Sequence, residues 1–171
     1  MRRIARVNRP AAPVLRYIDA SADVLTILDK VREEHFPELV NAKFATFFDL
    51  KKRKSNGKIV LARIQKSNDL IKKLTVEERR NTEGVDYVLA IDQVAWVSVA
   101  DIDKERILRH ELRHCVVDQE AKKPYKLTGH DLEDFTAEVV LNTADPGWAS
   151  RVATLVTDIY DQEAEIDQDN G

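Results

Sequence analysis

The sequence predicts an α+β fold, in which a small antiparallel or mixed sheet is flanked by helices. Two strand patterns and one helical pattern lead to this prediction. Phe44, Thr46 and Phe48 alternate with other residues, and the segment from Val85 to Ile91 is apolar on both faces. Between Asp101 and Val117, apolar residues recur instead at the spacing of a helix. The chain has 171 residues, a length typical of one domain.

The N-terminal part of the chain predicts a flexible arm followed by a helix. Residues 1–13 are basic and contain two prolines, so we expect no regular structure there. Ser21 is suited to the N-cap of a helix that extends to about Leu39, and Asp23 in its first turn complements the helix dipole. Pro37 should kink this helix or end it early.

A β-hairpin is predicted next. Ser55-Asn56-Gly57 is a turn signal between two stretches with strand character. We therefore expect residues 43–52 to pair with residues 58–65. The polar stretch 66–84 that follows is predicted to be partly helical, around Leu70 to Leu74.

The second half of the chain is predicted to be mainly helical after the strand that ends at Ile91. Three helices are expected: one from Asp101 to Val117, one that begins near Asp131, and one from Pro146 to about Tyr160. The acidic tail 161–171 is expected to be disordered. Residues 14–160 then form a single domain between the arm and the tail.

Composition excludes several classes of protein. Hydrophobic residues make up 43% of the chain and charged residues 33%, which is too apolar for a disordered chain. No apolar run approaches the roughly 20 residues that a spanning helix needs, so no membrane partner is expected. A single cysteine, Cys115, excludes an internal disulfide framework and fits a reducing compartment. The sequence therefore predicts a cytoplasmic protein.

The main chemical signal is the pentapeptide from His110 to His114, which has the pattern HExxH. Residues four apart on an α-helix differ by about 40° of rotation and one turn of rise, so both imidazoles project from one side. They can then bind the same Zn²⁺ ion. Glu111 lies beside them and is the candidate general base, which takes a proton from a zinc-activated water and later delivers it to the leaving amine. This pattern is typical of zincins.

The rest of the same helix divides into faces. Arg106, Arg109 and Arg113 fall in one narrow wedge, which we expect to face solvent. The stripe that should face the core consists of Leu108, Leu112, Cys115 and Val116. The two histidines fall on the other side of the arginine wedge, where a cleft wall is expected.

A third ligand must come from elsewhere in the chain, since a catalytic zinc site uses three protein ligands and leaves one position open. His130 is the favoured candidate because it follows Gly129 where the next helix should begin. Three acidic residues compete with it as ligands or, failing that, as partners of the imidazoles: Glu133, Asp134 and Glu138.

The segments 109–114 and 129–135 together resemble the phage metallopeptidases, small zincin-like proteins encoded by phages and mobile elements. An HExxH followed by Gly-His and a nearby aromatic is also similar to SprT-like proteases. In those proteases the downstream histidine is the third zinc ligand, which implies that role for His130. The resemblance covers roughly residues 85–140 and implies a zincin-like fold with one zinc ion.

The leading functional hypothesis is therefore a zinc metallopeptidase, encoded by a phage or mobile element and acting on a protein or peptide in the cytoplasm of a bacterial host. Tyr125, Arg113 and Tyr160 are candidates for stabilising the developing oxyanion. An extended substrate should pair with a sheet-edge strand. The strand 87–91 is apolar on both faces, so it is either this edge or a buried central strand, and in the second case one of the hairpin strands is the edge.

The alternative hypothesis is a non-catalytic binding module in which zinc is structural. It rests on a basic cluster at the hairpin tip, formed by Lys51, Lys52, Arg53, Lys54 and Lys58. Such a cluster can contact the phosphates of a nucleic acid. The net charge of −3 and the lack of interleaved aromatics make nucleic acid the less favoured partner. The negative charge of the acidic tail is also expected to screen this cluster.

Overall fold

The computed structural model describes residues 15–78, 83–130 and 135–169. Its strands are β1 (Tyr17–Asp19), β2 (Phe44–Asp49), β3 (Lys54–Ser55), β4 (Lys58–Ile59), β5 (Ala62–Lys66), β6 (Tyr87–Asp92), β7 (Cys115–Val117) and β8 (Tyr125–Leu127). Its helices are α1 (Ala22–His35), α2 (Asp69–Glu78), α3 (Gln93–Ser98), α4 (Asp101–Arg113), α5 (Thr136–Leu141) and α6 (Trp148–Asp169).

The main sheet has four strands in the order β1-β2-β6-β5. β1 is antiparallel to β2, β2 is parallel to β6, and β5 is antiparallel to β6. Two small antiparallel pairs, β3-β4 and β7-β8, lie outside this sheet. The fold is thus α+β with a mixed sheet, as the sequence predicted.

The predicted hairpin of residues 43–52 with residues 58–65 is wrong, because β6 lies between the two strands. Asn56 and Gly57 do make the tight turn, with φ of +49° and +79°, but this turn closes only the two-residue strands β3 and β4. A turn signal acts only on its immediate neighbours. Burial of long apolar strands then decides the pairing further away.

Strand β6 occupies the middle of the sheet because its side chains need burial. Tyr87, Leu89 and Ile91 are fully buried on the face that packs against the helices. The helices contribute buried residues to the same core: Val24, Leu28 and Val31 from α1, Leu108 and Leu112 from α4, and Val152 and Val156 from α6. The proposed edge role of the strand 87–91 is therefore wrong. The edge beside α4 is β5, one of the strands expected as the alternative.

Helix ends agree with the sequence in one case and differ in another. α1 ends at His35, and Pro37 begins a separate 3-10 turn, so the prediction that this proline ends the helix is confirmed. The predicted continuation of the central helix to Val117 is wrong, because α4 ends at Arg113 and His114 is its C-cap. The following residues pair with β8 instead, a role that suits the β-branched Val116 and Val117.

The structure tests the prediction for the C-terminal tail but not the prediction for the N-terminal arm. Residues 1–13 lie outside the part of the chain that the structure describes. The predicted disorder of the tail is wrong for residues 161–169, which continue helix α6 to Asp169. Asp161 in this extension forms an ion pair of 2.7 Å with Lys52 of the basic cluster, which agrees with the predicted screening. Among the described residues, no helix combines the length and the apolar character needed to cross a membrane.

The turn before β6 depends on glycine at position 84. Gly84 has φ of +73°, and a Cβ atom there would lie 2.2 Å from the backbone oxygen of Lys72. We expect Gly84→Ala to lower the free energy of unfolding by about 2 kcal/mol or more, because it combines backbone strain with a clash against backbone. Urea unfolding followed by circular dichroism measures this change.

Gly147→Ala is the matched control for this substitution. A Cβ atom at position 147 would meet no atom within 4 Å. Unfolding of the Gly147→Ala protein should therefore stay close to that of the wild type. Equal stability of the two variants would contradict the assigned role of Gly84.

Candidate metal centre

The structure brings the three predicted histidines together. His110 lies in the last turn of α4, His114 caps that helix, and His130 follows β8. One ring nitrogen from each of them lies within 4.8 Å of the others. The hairpin formed by β7 and β8 makes this possible, because it returns the chain to His114, whose backbone oxygen accepts a 2.8 Å hydrogen bond from the Thr128 N–H.

The hydrogen bonds of the rings prepare their nitrogens for a cation. Nδ1 of His114 lies 2.8 Å from the carbonyl oxygen of Thr128. A carbonyl only accepts, so Nδ1 carries the hydrogen, and in the neutral ring Nε2 keeps a lone pair. Nε2 of His110 and Nε2 of His130 are 3.1 Å apart, a separation at which two lone pairs need a shared proton or cation between them. This donor set can hold a metal ion.

Glu111 lies next to the histidines in the wall of the same cavity. This cavity has a volume of about 280 Å³ and is formed by β5, the end of α4 and the segment from Leu127 to His130. Burial raises the pKa of Glu111 to about 7, against the opposing effects of a hydrogen bond from the Ile64 backbone and the positive charge of Arg63. A carboxyl group with a pKa near neutrality is suited to taking up and releasing a proton.

The competing acidic ligands have different outcomes. Glu133 and Asp134 lie outside the described residues. Glu138 was expected either as a ligand or as a partner of the imidazoles, and neither expectation holds. Its carboxylate is fully buried and accepts hydrogen bonds from Nε of Arg109, at 2.7 Å and 3.0 Å, and from Nε of Arg113, at 3.2 Å.

The arginine wedge of α4 packs against later parts of the chain, with Arg109 buried and Arg106 and Arg113 half-buried, so its predicted exposure to solvent is wrong. Arg109 is only 7% exposed. Arg106 donates to Asp103 on its own helix, to Asn142 at the end of α5 and to Asp145 in the loop that follows. A helical projection shows which residues share a face, but it cannot show that a later part of the chain supplies carboxylates to that face.

Phe135 contacts all three imidazoles and has no counterpart among the predicted site residues. Its ring centroid lies 5.5 Å from that of His110, 4.8 Å from that of His114 and 4.9 Å from that of His130, in edge-to-face geometry. The resemblance includes an aromatic near the downstream histidine. Nothing in the sequence pattern predicts that this residue packs against every ring of the cluster.

The three oxyanion candidates have other partners. Tyr125 packs edge-on against Tyr87, Arg113 bonds to Glu138, and the Tyr160 hydroxyl donates to Asp92 at 2.8 Å. None of the three is among the described residues that line the cavity around the histidines. Their predicted role in catalysis gains no support from this placement.

The basic cluster at the hairpin is partly neutralised within the chain. Lys52 pairs with Asp161, and Arg53 donates to Asp49 and to the hydroxyl of Tyr17. The charge available for the phosphates of a nucleic acid is correspondingly smaller. This arrangement does not favour the alternative of a nucleic-acid-binding module.

The mixed sheet, the HExxH helix and the histidine cluster define an α+β protein of zincin-like fold with a candidate metal centre. A scan against protein-family models matches residues 15–160 to the family described as "Putative phage metallopeptidase". The chain belongs to this family. Searches of curated proteins and of solved structures give no match.

Proposed function

We propose that the protein is a zinc-dependent peptidase that hydrolyses peptide bonds in a polypeptide substrate. The observation that carries this proposal is the convergence of three imidazoles beside a buried glutamate at the edge of a sheet. The family supports a metallopeptidase of phage origin. Action in the cytoplasm of a bacterial host is part of the proposal.

His110, His114 and His130 would hold the metal. Three imidazole nitrogens suit Zn²⁺, and three protein ligands are the number found in catalytic zinc sites. When bound, zinc supplies Lewis acidity that polarises a carbonyl group and lowers the pKa of water. The hydrogen bond from His114 to the Thr128 carbonyl fixes that ring in the orientation that a ligand needs.

Glu111 is the proposed proton carrier. Its carboxylate lies within the cavity and is oriented by the Ile64 N–H of β5. In the proposed mechanism it accepts a proton from the attacking water and donates it to the nitrogen of the leaving amine. Burial favours this exchange, because it brings the pKa of the carboxyl to about 7, near the pH at which the proton has to move both ways.

Strand β5 is the proposed docking edge for the substrate backbone. The Leu61 carbonyl accepts from the Asp92 N–H, and the Ser67 N–H donates to the Asp86 carbonyl. The backbone N–H and C=O groups of the odd-numbered residues in this segment therefore point toward β6. The N–H and C=O groups of Ala62 and Ile64 therefore point away from β6. The Ile64 N–H bonds to Glu111, and the Ala62 groups are placed to pair with an extended peptide.

A groove continues from the histidine cavity along this edge. It has a volume of about 710 Å³ and runs from His110 and Glu111 between the segment 57–62 and helix α6. The α6 wall consists mainly of small side chains, which leave room for the side chains of a substrate: Ala149, Ser150, Ala153, Thr154 and Thr157.

The metal can be tested without a substrate. We expect purified protein, treated with chelator and reloaded, to bind one Zn²⁺ per chain, as measured by atomic emission after gel filtration. The double variant His110→Ala/His114→Ala should bind none, because it lacks two of the three donors. His35→Ala is the control, since this fourth histidine lies at the end of α1. Zinc binding that survives in the double variant would contradict the proposed site.

The role of Glu111 is tested by Glu111→Gln, which keeps the shape of the side chain and removes its proton chemistry. We expect the variant to keep its zinc and to lose about 10²- to 10⁴-fold in kcat. Cleavage of unfolded casein, followed by mass spectrometry, measures this loss. Unchanged kcat in the zinc-loaded variant would refute the assignment.

The groove is tested by Ala153→Trp, which fills the space between α6 and the segment 57–62. We expect kcat/KM to fall about tenfold or more while zinc content stays the same, because the variant blocks binding of the substrate in the groove and leaves the histidines and Glu111 unchanged. Ala164→Trp makes the same change on the same helix, at an exposed residue that does not line the groove. Equal losses in both variants would show that the effect is not specific to the groove.

A further inference from the structure

We infer that Arg109 and Glu138 are positioning residues for the metal centre, and that their buried ion pair sets the affinity of the histidines for zinc. This inference rests on the proposed function. It adds a specific dependence of zinc binding on two residues that are not ligands, one on α4 and one on α5.

The ion pair has the geometry of a strong and buried interaction. Glu138 is fully buried and Arg109 is 7% exposed, so water screens the pair little. Nε of Arg109 donates to both carboxylate oxygens, at 2.7 Å and 3.0 Å. Asn142, one turn further along the chain, accepts from Nη2 of Arg109 at 2.9 Å. These contacts fix the position of α5 against the arginine face of α4.

Helix α5 is linked to the imidazoles through Phe135, the residue that directly precedes it. The Glu138 N–H donates to the carbonyl oxygen of Phe135 at 2.9 Å, so the ion pair and the Phe135 ring belong to the same helical turn. Phe135 packs against His110, His114 and His130 at centroid distances of 4.8–5.5 Å. A shift of α5 would therefore move the one described side chain that touches all three rings.

Charge acts in the same direction as geometry. Arg109 directly precedes His110, and Arg113 directly precedes His114, so α4 carries two positive charges adjacent in sequence to residues proposed to bind a dication. Glu138 bonds to both of them and supplies a negative charge. Without this carboxylate, the unbalanced arginines would disfavour a cation at the histidines.

A second buried carboxylate on α4 provides a matched control, and it is linked to the Arg109–Glu138 pair only indirectly, through Arg106 and Asn142. Asp103 is 3% exposed and pairs with Arg106 and with Arg151 of α6. It lies seven residues before His110, or about 10 Å along the helix axis. Asp103→Asn therefore removes a charge nearly as deeply buried as that of Glu138, about two helical turns away from His110.

The experiment measures the zinc dissociation constant by competition with a chromogenic chelator. We expect Glu138→Gln to weaken zinc binding about 10- to 100-fold relative to the wild type, the range typical of residues that orient metal ligands. Asp103→Asn should stay within about threefold of the wild type, even where its thermal unfolding is equally affected. Wild-type affinity in Glu138→Gln, or an equal loss in both variants, would overturn the inference. Failure of the wild type itself to bind zinc would instead refute the proposed function.

Two further variants separate positioning from general destabilisation. Arg109→Lys keeps the charge but loses the planar guanidinium, so it should also weaken zinc binding, and it decides the question if circular dichroism shows that Glu138→Gln is unfolded. The double variant Arg109→Gln/Glu138→Gln is compared with its two single variants. Its loss of zinc affinity should be no greater than that of the more affected single variant, since both residues act through one pair. Unchanged affinity in Arg109→Lys, or losses that simply add in the double variant, would contradict the inference.

Discussion

Helix α4 has three faces that need different surroundings, and the neighbouring elements of the structure supply them. Leu108 and Leu112 need the apolar core, and the sheet and α1 provide it. Arg109 needs a carboxylate, which Glu138 of α5 provides. The third side presents His110 and, at the helix end, His114 to the cavity beneath β5. Each neighbouring element can therefore be understood from the face of α4 that it covers.

The place where α4 ends matters as much as the faces that it presents. Because the helix stops at Arg113, the chain turns into β7 immediately after His114. The β7-β8 pair then returns the chain to the same point, where Thr128 both donates to the His114 backbone and accepts from its ring. A helix continued to Val117 would have separated His130 from the other two histidines. The short hairpin thus completes the cluster.

Sequence reasoning succeeded where the pattern is local and failed where the partner is distant. The spacing of His110 and His114, the Gly-His pair that ends at His130 and the apolar strand around Leu89 are properties of short segments. In the structure the three imidazoles lie close together and the strand is buried. The pairing of β5 with β6, in contrast, depends on strands 25 residues apart in register, Ile64 with Leu89. No turn signal carries that information.

The arginines of α4 show the same limit more clearly. Three arginines on one helix face are indistinguishable in sequence from a solvated surface, and only the packing of later segments reveals that Arg109 is buried. Glu138 was equally ambiguous, since an acidic residue downstream of HExxH suits a ligand as well as an ion pair. The acidic C-terminal segment was expected to be disordered from its composition, yet it continues α6 and places Asp161 beside Lys52.

X-ray absorption spectroscopy of the zinc-loaded protein tests the central claim most directly, because it reports the ligands of the metal itself. The account predicts a first shell of about four light atoms at 2.0–2.1 Å, with outer-shell scattering from three imidazoles. In the His130→Ala protein, the imidazole contribution should fall from three rings to two. A wild-type spectrum with two imidazoles or fewer, or one that stays unchanged in His130→Ala, would contradict the three-histidine centre.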